Sequence, residues 1–348
     1  MSGIRPFEDR DYRRYVEVGN ASYPEYAWTV AEASHDDATW TDARYFKARF
    51  VSEDDTDRVV GILDLHHQRG WFHPQRYRCE VTVDPAHRRR GHGSALLDHA
   101  VALVRARGGE LLVGSTKESP GEGVAFLTKR GCVERQRSWE SRLDVAAFDF
   151  ARFAGAQQRV AAHGIRIATL AEETRKDRDG ALRKAYDLQE LTRRDIPSVD
   201  PATEGDFAVF LSYQDAPTAL PDAYFLAVRD DEYVGLSNLW RDLTNDDNLY
   251  QGLTAVHPAW RGKGIAMGLK LQTVRYAHAH RKREIRTWNN TRNRPMLRIN
   301  EAMGFVRQPA WVEFEKRLSG PAPASPELGR RSAARRRRIR AVEEAPEA

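Results

Sequence analysis

Long apolar runs are missing from this 348-residue chain, and no stretch approaches the ~18 uninterrupted apolar residues that a membrane span requires. A transmembrane protein is thereby excluded. The start, Met1-Ser-Gly-Ile-Arg-Pro-Phe-Glu-Asp-Arg10, also lacks the apolar core of a secretory signal. Cysteine is almost absent: Cys79 and Cys132 are too few for a disulfide framework or a four-thiolate zinc site, so a reducing cytoplasm is the simplest compartment. His66, His67 and His73 lack the spacing of a recognised zinc site, and no metal is expected. A large excess of one charge is missing too. The formal net charge is +5, and residues 321–348, with seven arginines and four glutamates, account for +3 of it, so the body is nearly neutral. That end segment has no aromatic and few large apolar residues, which is the composition of disorder, so residues 319–348 read as a disordered basic tail without a specific nucleic-acid site.

What the chain does contain is an internal repeat. Val83-Asp-Pro-Ala-His-Arg-Arg-Arg-Gly-His-Gly-Ser-Ala-Leu96 returns 173 positions later as Val256-His-Pro-Ala-Trp-Arg-Gly-Lys-Gly-Ile-Ala-Met-Gly-Leu269. The same offset carries Gly131-Cys-Val133 onto Gly304-Phe-Val306, so about fifty residues correspond without a gap. The division expected is a domain at 1–150, a partly helical linker at 151–163 and a second domain at 164–318. Each copy reads as a strand start, an amphipathic helix and a hairpin-like strand pair. Then come a strand ending at Val83 or Val256, a basic turn, a helix and a returning strand, an order that implies a parallel strand pair inside a mixed sheet.

The turn carries chemistry. Arg88-Arg89-Arg90-Gly91-His92-Gly93-Ser94 and Arg261-Gly262-Lys263-Gly264-Ile265-Ala266-Met267 each link a strand to a helix, whose first N–H groups have no partner within the helix. Glycine admits close backbone approach, and the consecutive N–H groups form a nest for an anion, reinforced by the helix dipole and the basic side chains. A diphosphate suits such a site better than one carboxylate. The spacing is neither that of a Walker loop nor that of the three-glycine dinucleotide fingerprint.

Val-x-Pro-x-x-Arg-x-x-Gly-x-Gly/Ala before an amphipathic helix resembles the acetyl-CoA-binding motif of the GNAT superfamily of N-acetyltransferases. In the second copy Thr287-Trp-Asn-Asn-Thr-Arg-Asn293, with the closing Gly304-Phe305, is similar to the family's Asn-rich strand exit. The resemblance covers both halves, and the layout is similar to that of the tandem members. It implies an α/β (α+β) fold of two tandem domains, each a mostly antiparallel sheet with a central parallel pair and flanking helices. The sheet would splay between its fourth and fifth strands to receive the pantetheine arm of acetyl-CoA. By position, backbone at Val81, Thr82 and Val83, and at Thr254, Ala255 and Val256, would pair with that arm, the two turns would hold the diphosphate, and Asn289 and Asn293 would touch the cofactor or brace the next helix.

The reaction implied is attack of a small-molecule amine on the thioester, which needs a base, an oxyanion donor and a proton for the leaving thiolate. Many members place a tyrosine four residues before the closing glycine, but Leu127 and Asn300 stand there. Substitutes are Tyr250 as acid, with Tyr77 in the same relative place, and Glu80 as base, although its second-copy counterpart is Leu253. The second half, with the fuller motif, is the expected catalytic one. A non-catalytic acyl-CoA-binding regulatory module is the other reading, which the missing tyrosine permits.

Overall fold

The computed structural model describes residues 3–318; the basic tail expected at 319–348 lies outside the described residues. The N-terminal half runs β1 (Ile4–Pro6), α1 (Tyr12–Ser22), α2 (Val30–Ala38), β2 (Lys47–Glu53), β3 (Val59–His66), β4 (Arg76–Val83), α3 (His92–Ala106), β5 (Leu111–Lys117), α4 (Glu122–Lys129) and β6 (Val133–Asp144). The connecting segment holds one short helix, α5 (Ala156–Ala161). The C-terminal half runs β7 (Ile165–Thr169), α6 (Leu170–Lys176), α7 (Arg178–Arg193), α8 (Phe207–Gln214), β8 (Ala219–Arg229), β9 (Glu232–Arg241) and β10 (Asn248–Val256). It continues with α9 (Ile265–Ala279), β11 (Glu284–Asn290), α10 (Arg294–Ala302), β12 (Val306–Arg307) and β13 (Trp311–Arg317). Among the described residues no helix is long and apolar enough to cross a membrane.

Strand alternation sorts each half into two cores. Ile62 turns toward Val18 of α1, whereas its neighbours Leu63 and Leu65 turn toward Leu96 and Leu97 of α3. In the second half Leu226 and Leu236 meet Leu182 and Ala185 of α7, whereas Phe225, Leu239 and Leu249 meet Leu269 and Val274 of α9. Both halves therefore place one helix layer on each face of a mostly antiparallel sheet.

The halves are fused by strand exchange, which the repeat did not foretell. The sheet order is β1-β2-β3-β4-β5-β13-β6-β11-β10-β9-β8-β7, with β12 beside β6. The last strand of the chain, β13, thus lies against β5 of the first half, and β6 of the first half lies against β11 of the second. β6 is long enough, at 12 residues, to do both jobs: Ser138–Asp144 face β11, and its earlier part faces β13. Each half's sheet is completed by a strand from the other.

Candidate functional site

Two clefts open where the parallel pairs part. β4 and β5 pair only through Arg76–Arg78 and Leu111–Val113, although β4 continues to Val83 and β5 to Lys117. β10 and β11 pair only through Asn248–Tyr250 and Glu284–Arg286, and then continue apart to Val256 and Asn290. Val81, Thr82 and Val83, and likewise Thr254, Ala255 and Val256, lie on the parted stretches and are mostly half-buried.

The two clefts differ in one respect that sets backbone direction. β4 pairs with β3 in unbroken register from Arg78 to Val83. In β10, Gln251 faces Leu239 and Thr254 faces Ser237, so Gly252 and Leu253 together stand opposite Asn238 alone. That is a β-bulge, which leaves a residue unpaired and bends the strand. Gly252 fits because a Cβ there would lie 2.6 Å from Trp240 Nε1 and 2.7 Å from Asn238 Nδ2.

At the wide end of each cleft the basic turn opens a helix. Gly91 (φ 97°) and Gly264 (φ 77°) are the N-caps of α3 and α9, and neither helix start has a side-chain cap. Its first N–H groups, at His92, Gly93 and Ser94 and at Ile265, Ala266 and Met267, therefore face outward without intrahelical partners. Two positions earlier the copies diverge: Gly262 has φ 77°, which glycine adopts freely, whereas Arg89 holds φ 63° with a side chain. A Cβ on Gly262 or Gly264 would meet nothing within 4 Å, so the space over this turn is open. Lys263 forms no ion pair among the described residues, and its Nζ lies 5.8 Å from the Trp260 ring centre. Arg89 and Arg90 form none either. Arg261 donates to the Val256 carbonyl (3.1 Å) and pairs with Asp195; Arg88 likewise donates to the Val83 carbonyl (3.4 Å) and pairs with Glu122 of α4 (2.9 Å). The His92 imidazole is buried, with Nδ1 2.9 Å from Ser52 Oγ.

The asparagines act on the helix after β11. Asn293 caps α10, its side chain accepting from the Met296 N–H (3.4 Å). Asn289 Oδ1 accepts from Asn300 Nδ2 at 2.7 Å, and the buried Asn300 Oδ1 has no hydrogen-bond partner among the described residues. In the sequence Asn300 marks only the absence of a tyrosine; in the fold it is a buried polar group next to the cleft strand with bonding capacity to spare.

The two proposed catalytic side chains differ: Tyr250 is hydrogen-bonded and Glu80 is exposed. The Tyr250 hydroxyl donates to Asp242 Oδ2 (3.0 Å), and burial together with that carboxylate raises the phenol above its ordinary range. Asp242 also accepts from the Thr244 and Asn245 N–H groups and from Asn248 Nδ2, so the pair braces the turn between β9 and β10. Glu80 is exposed, opposite Asp64 in register, with Arg78 Nε at 3.7 Å.

On the face away from α9 the N-terminal half reaches the second cleft. Tyr26 packs on Trp288 (6.1 Å) and Trp311 (5.5 Å) and donates to the fully buried Glu140 of β6, while Trp288 packs on Tyr250 (5.7 Å).

The sequence matches the Acetyltransferase (GNAT) family twice, over residues 13–131 and 185–305. A relative, mycothiol acetyltransferase of Brachybacterium faecium, is 29% identical over 232 residues, which is 64% of this chain and 63% of that protein; the chain thus spans less than two thirds of it. Among solved structures, a tandem GNAT protein from the clavulanic acid biosynthesis pathway superposes with a TM-score of 0.71 at 21% identity, covering 92% of this chain and 99% of that one. A GCN5-related N-acetyltransferase from Sphaerobacter thermophilus does so with a TM-score of 0.63 at 16% identity, covering 91% and 96%. Both share the fold.

Proposed function

Because the chain belongs to the acetyltransferase (GNAT) family, whose members use acetyl-CoA as cosubstrate, we propose that its C-terminal half moves the acetyl group to a primary amine of a small molecule. The observation that carries the choice of half is the bulge in β10, which β4 lacks. A bulge beside the parting strands turns a backbone N–H into the cleft, where it serves as the oxyanion donor for a tetrahedral intermediate.

The residues present fit the cosubstrate. The outward N–H groups at Ile265, Ala266 and Met267, with Lys263 beside them, would hold the diphosphate; the parted backbone at Thr254–Val256 would pair with the pantetheine arm. Asn289 and Asn300 would fix the near wall, Asn300 Oδ1 accepting an amide N–H. The acceptor would enter from the face away from α9, between Trp240, Tyr250 and Trp288, with Tyr26 of the N-terminal half closing the far side. Attack by the neutral amine forms the C–N bond and breaks the C–S bond, coenzyme A leaving as the thiolate; the amine proton passes to solvent, and solvent returns a proton to the thiolate. Tyr250 is assigned the role of brace, since its proton is already directed at Asp242.

The relative named for mycothiol, at 29% identity over part of its length, is an acetyltransferase whose name leaves the accepting group open. Release of thiol from acetyl-CoA across a panel of primary amines tests the proposal. Turnover should survive Gly91→Glu and vanish in Gly264→Glu, which sets bulk and negative charge against the diphosphate. The reverse pattern would move the reaction to the first half, and binding with no thiol release from any amine would make the chain a binding module.

A further inference from the structure

The repeat supplies its own control for one buried charge. Helix α3 has Leu97 and Ala100 facing the first core; at the same positions 173 residues on, α9 has Lys270 and Thr273. Lys270 is only 1% exposed. Its Nζ lies 3.4 Å from Gln251 Oε1 and 4.8 Å from the Phe305 ring centre. The partners of its Nζ are Gln251 from β10 and Phe305 from the turn after α10, and neither is a carboxylate. A lysine buried without a counter-charge is a cost that the Leu97 copy avoids.

Its contact explains the difference between the copies. Gln251 is the last residue of β10 before the bulge. Its Nε2 donates to Asn238 O at 2.7 Å and to Ser237 Oγ at 3.2 Å, on the strand facing the bulge. Asn238 is the residue that the bulge leaves opposite two others, so the Gln251 amide fills the gap in the ladder. A carboxamide does this only if it faces the right way. Lys270 Nζ donates to the Gln251 oxygen, and as an ammonium it can only donate, so it holds that oxygen toward α9 and thereby the nitrogen toward Asn238. The Thr273 hydroxyl, 3.0 Å from the same oxygen, has one proton, which it shares with the Lys270 carbonyl at 2.8 Å. The first copy has Arg78 in place of Gln251, Leu97 in place of Lys270, and no bulge.

We infer that Lys270 is a positioning residue for acetyl transfer: by orienting the Gln251 amide it fixes the bulge that carries the oxyanion donor. This rests on the assignment of the reaction to the C-terminal half. Burial lowers the Lys270 ammonium to about 7, a cost consistent with a group kept for what it holds in place.

Lys270→Leu, the first copy's own solution, and Gln251→Leu test the inference, alone and combined. In Lys270→Leu, acetyl-CoA affinity by calorimetry should change less than about threefold, while kcat with the best amine of the panel falls at least about tenfold. Amide hydrogen exchange across 251–254 should quicken. The double variant should lose no more than the worse single, because both act on one device. Unchanged kcat, unchanged exchange at the bulge, or losses that multiply would each overturn it. The exchange measurement needs no acceptor, so it reads the bulge even if no amine turns over. Failure of the underlying assignment shows separately, as acetyl-CoA binding that survives Gly264→Glu.

Discussion

At Lys270 the fold keeps a buried ammonium where the first copy has Leu97, and this gives stability a pH dependence of known sign. The unfolded lysine titrates at its ordinary 10.5, the folded one at about 7, so between those values the unfolded state binds the extra proton and stability rises with pH. Below about pH 7 the penalty is present in full. Lys270→Leu should therefore stabilise the protein most near pH 6, by a few kcal/mol, and least near pH 10. Guanidinium unfolding midpoints at the two pH values check this, and an equal shift at both would contradict it. At Tyr250 the bond to Asp242 predicts the opposite balance. Tyr250→Phe should cost about 1–2 kcal/mol of stability with kcat changed less than about threefold; a loss of activity far beyond that would return the phenol to the chemistry. Neither situation was legible in the sequence. Lys270 sits between Leu269 and Leu271 on a helix read only through its apolar positions, and a lysine in that stretch, aligned with a leucine in the other copy, was the available signal.

Helix starts and strand irregularities decide what each cleft can hold. The two basic turns were legible because glycine at a strand-to-helix junction has few alternatives, and Gly91 and Gly264 do adopt left-handed backbone as N-caps. The bulge in β10 was not, since strand periodicity is blind to one extra residue; Gly252 inside the strand was its only trace. Gly262 and Arg89 offer a test at this level. Gly262→Arg installs the first copy's residue at a φ of 77°. It should cost about 1–2 kcal/mol in thermal or denaturant unfolding. Acetyl-CoA affinity should fall with it, and a variant as stable and as tight as the parent would show that the two turns are equivalent.

Two similar halves could be read from a single offset, because duplicated residues reveal themselves whatever they touch. Strand exchange could not, because β6 and β13 have the same alternation whether they pair at home or across the seam. Its consequence is that the halves are one unit. A protease site inserted at Gly155, in the connecting segment, should leave both fragments co-eluting at the intact size after cleavage, held by β13 on β5 and β6 on β11; separation on gel filtration would mean that the exchanged strands do not hold. One unit with two clefts leaves the question of which cleft is used, and titration of the intact chain with acetyl-CoA answers it most directly. One site per chain is expected, lost in Gly264→Glu and retained in Gly91→Glu. Two equal sites, or one that Gly91→Glu removes, would contradict the assignment of the reaction to the C-terminal half.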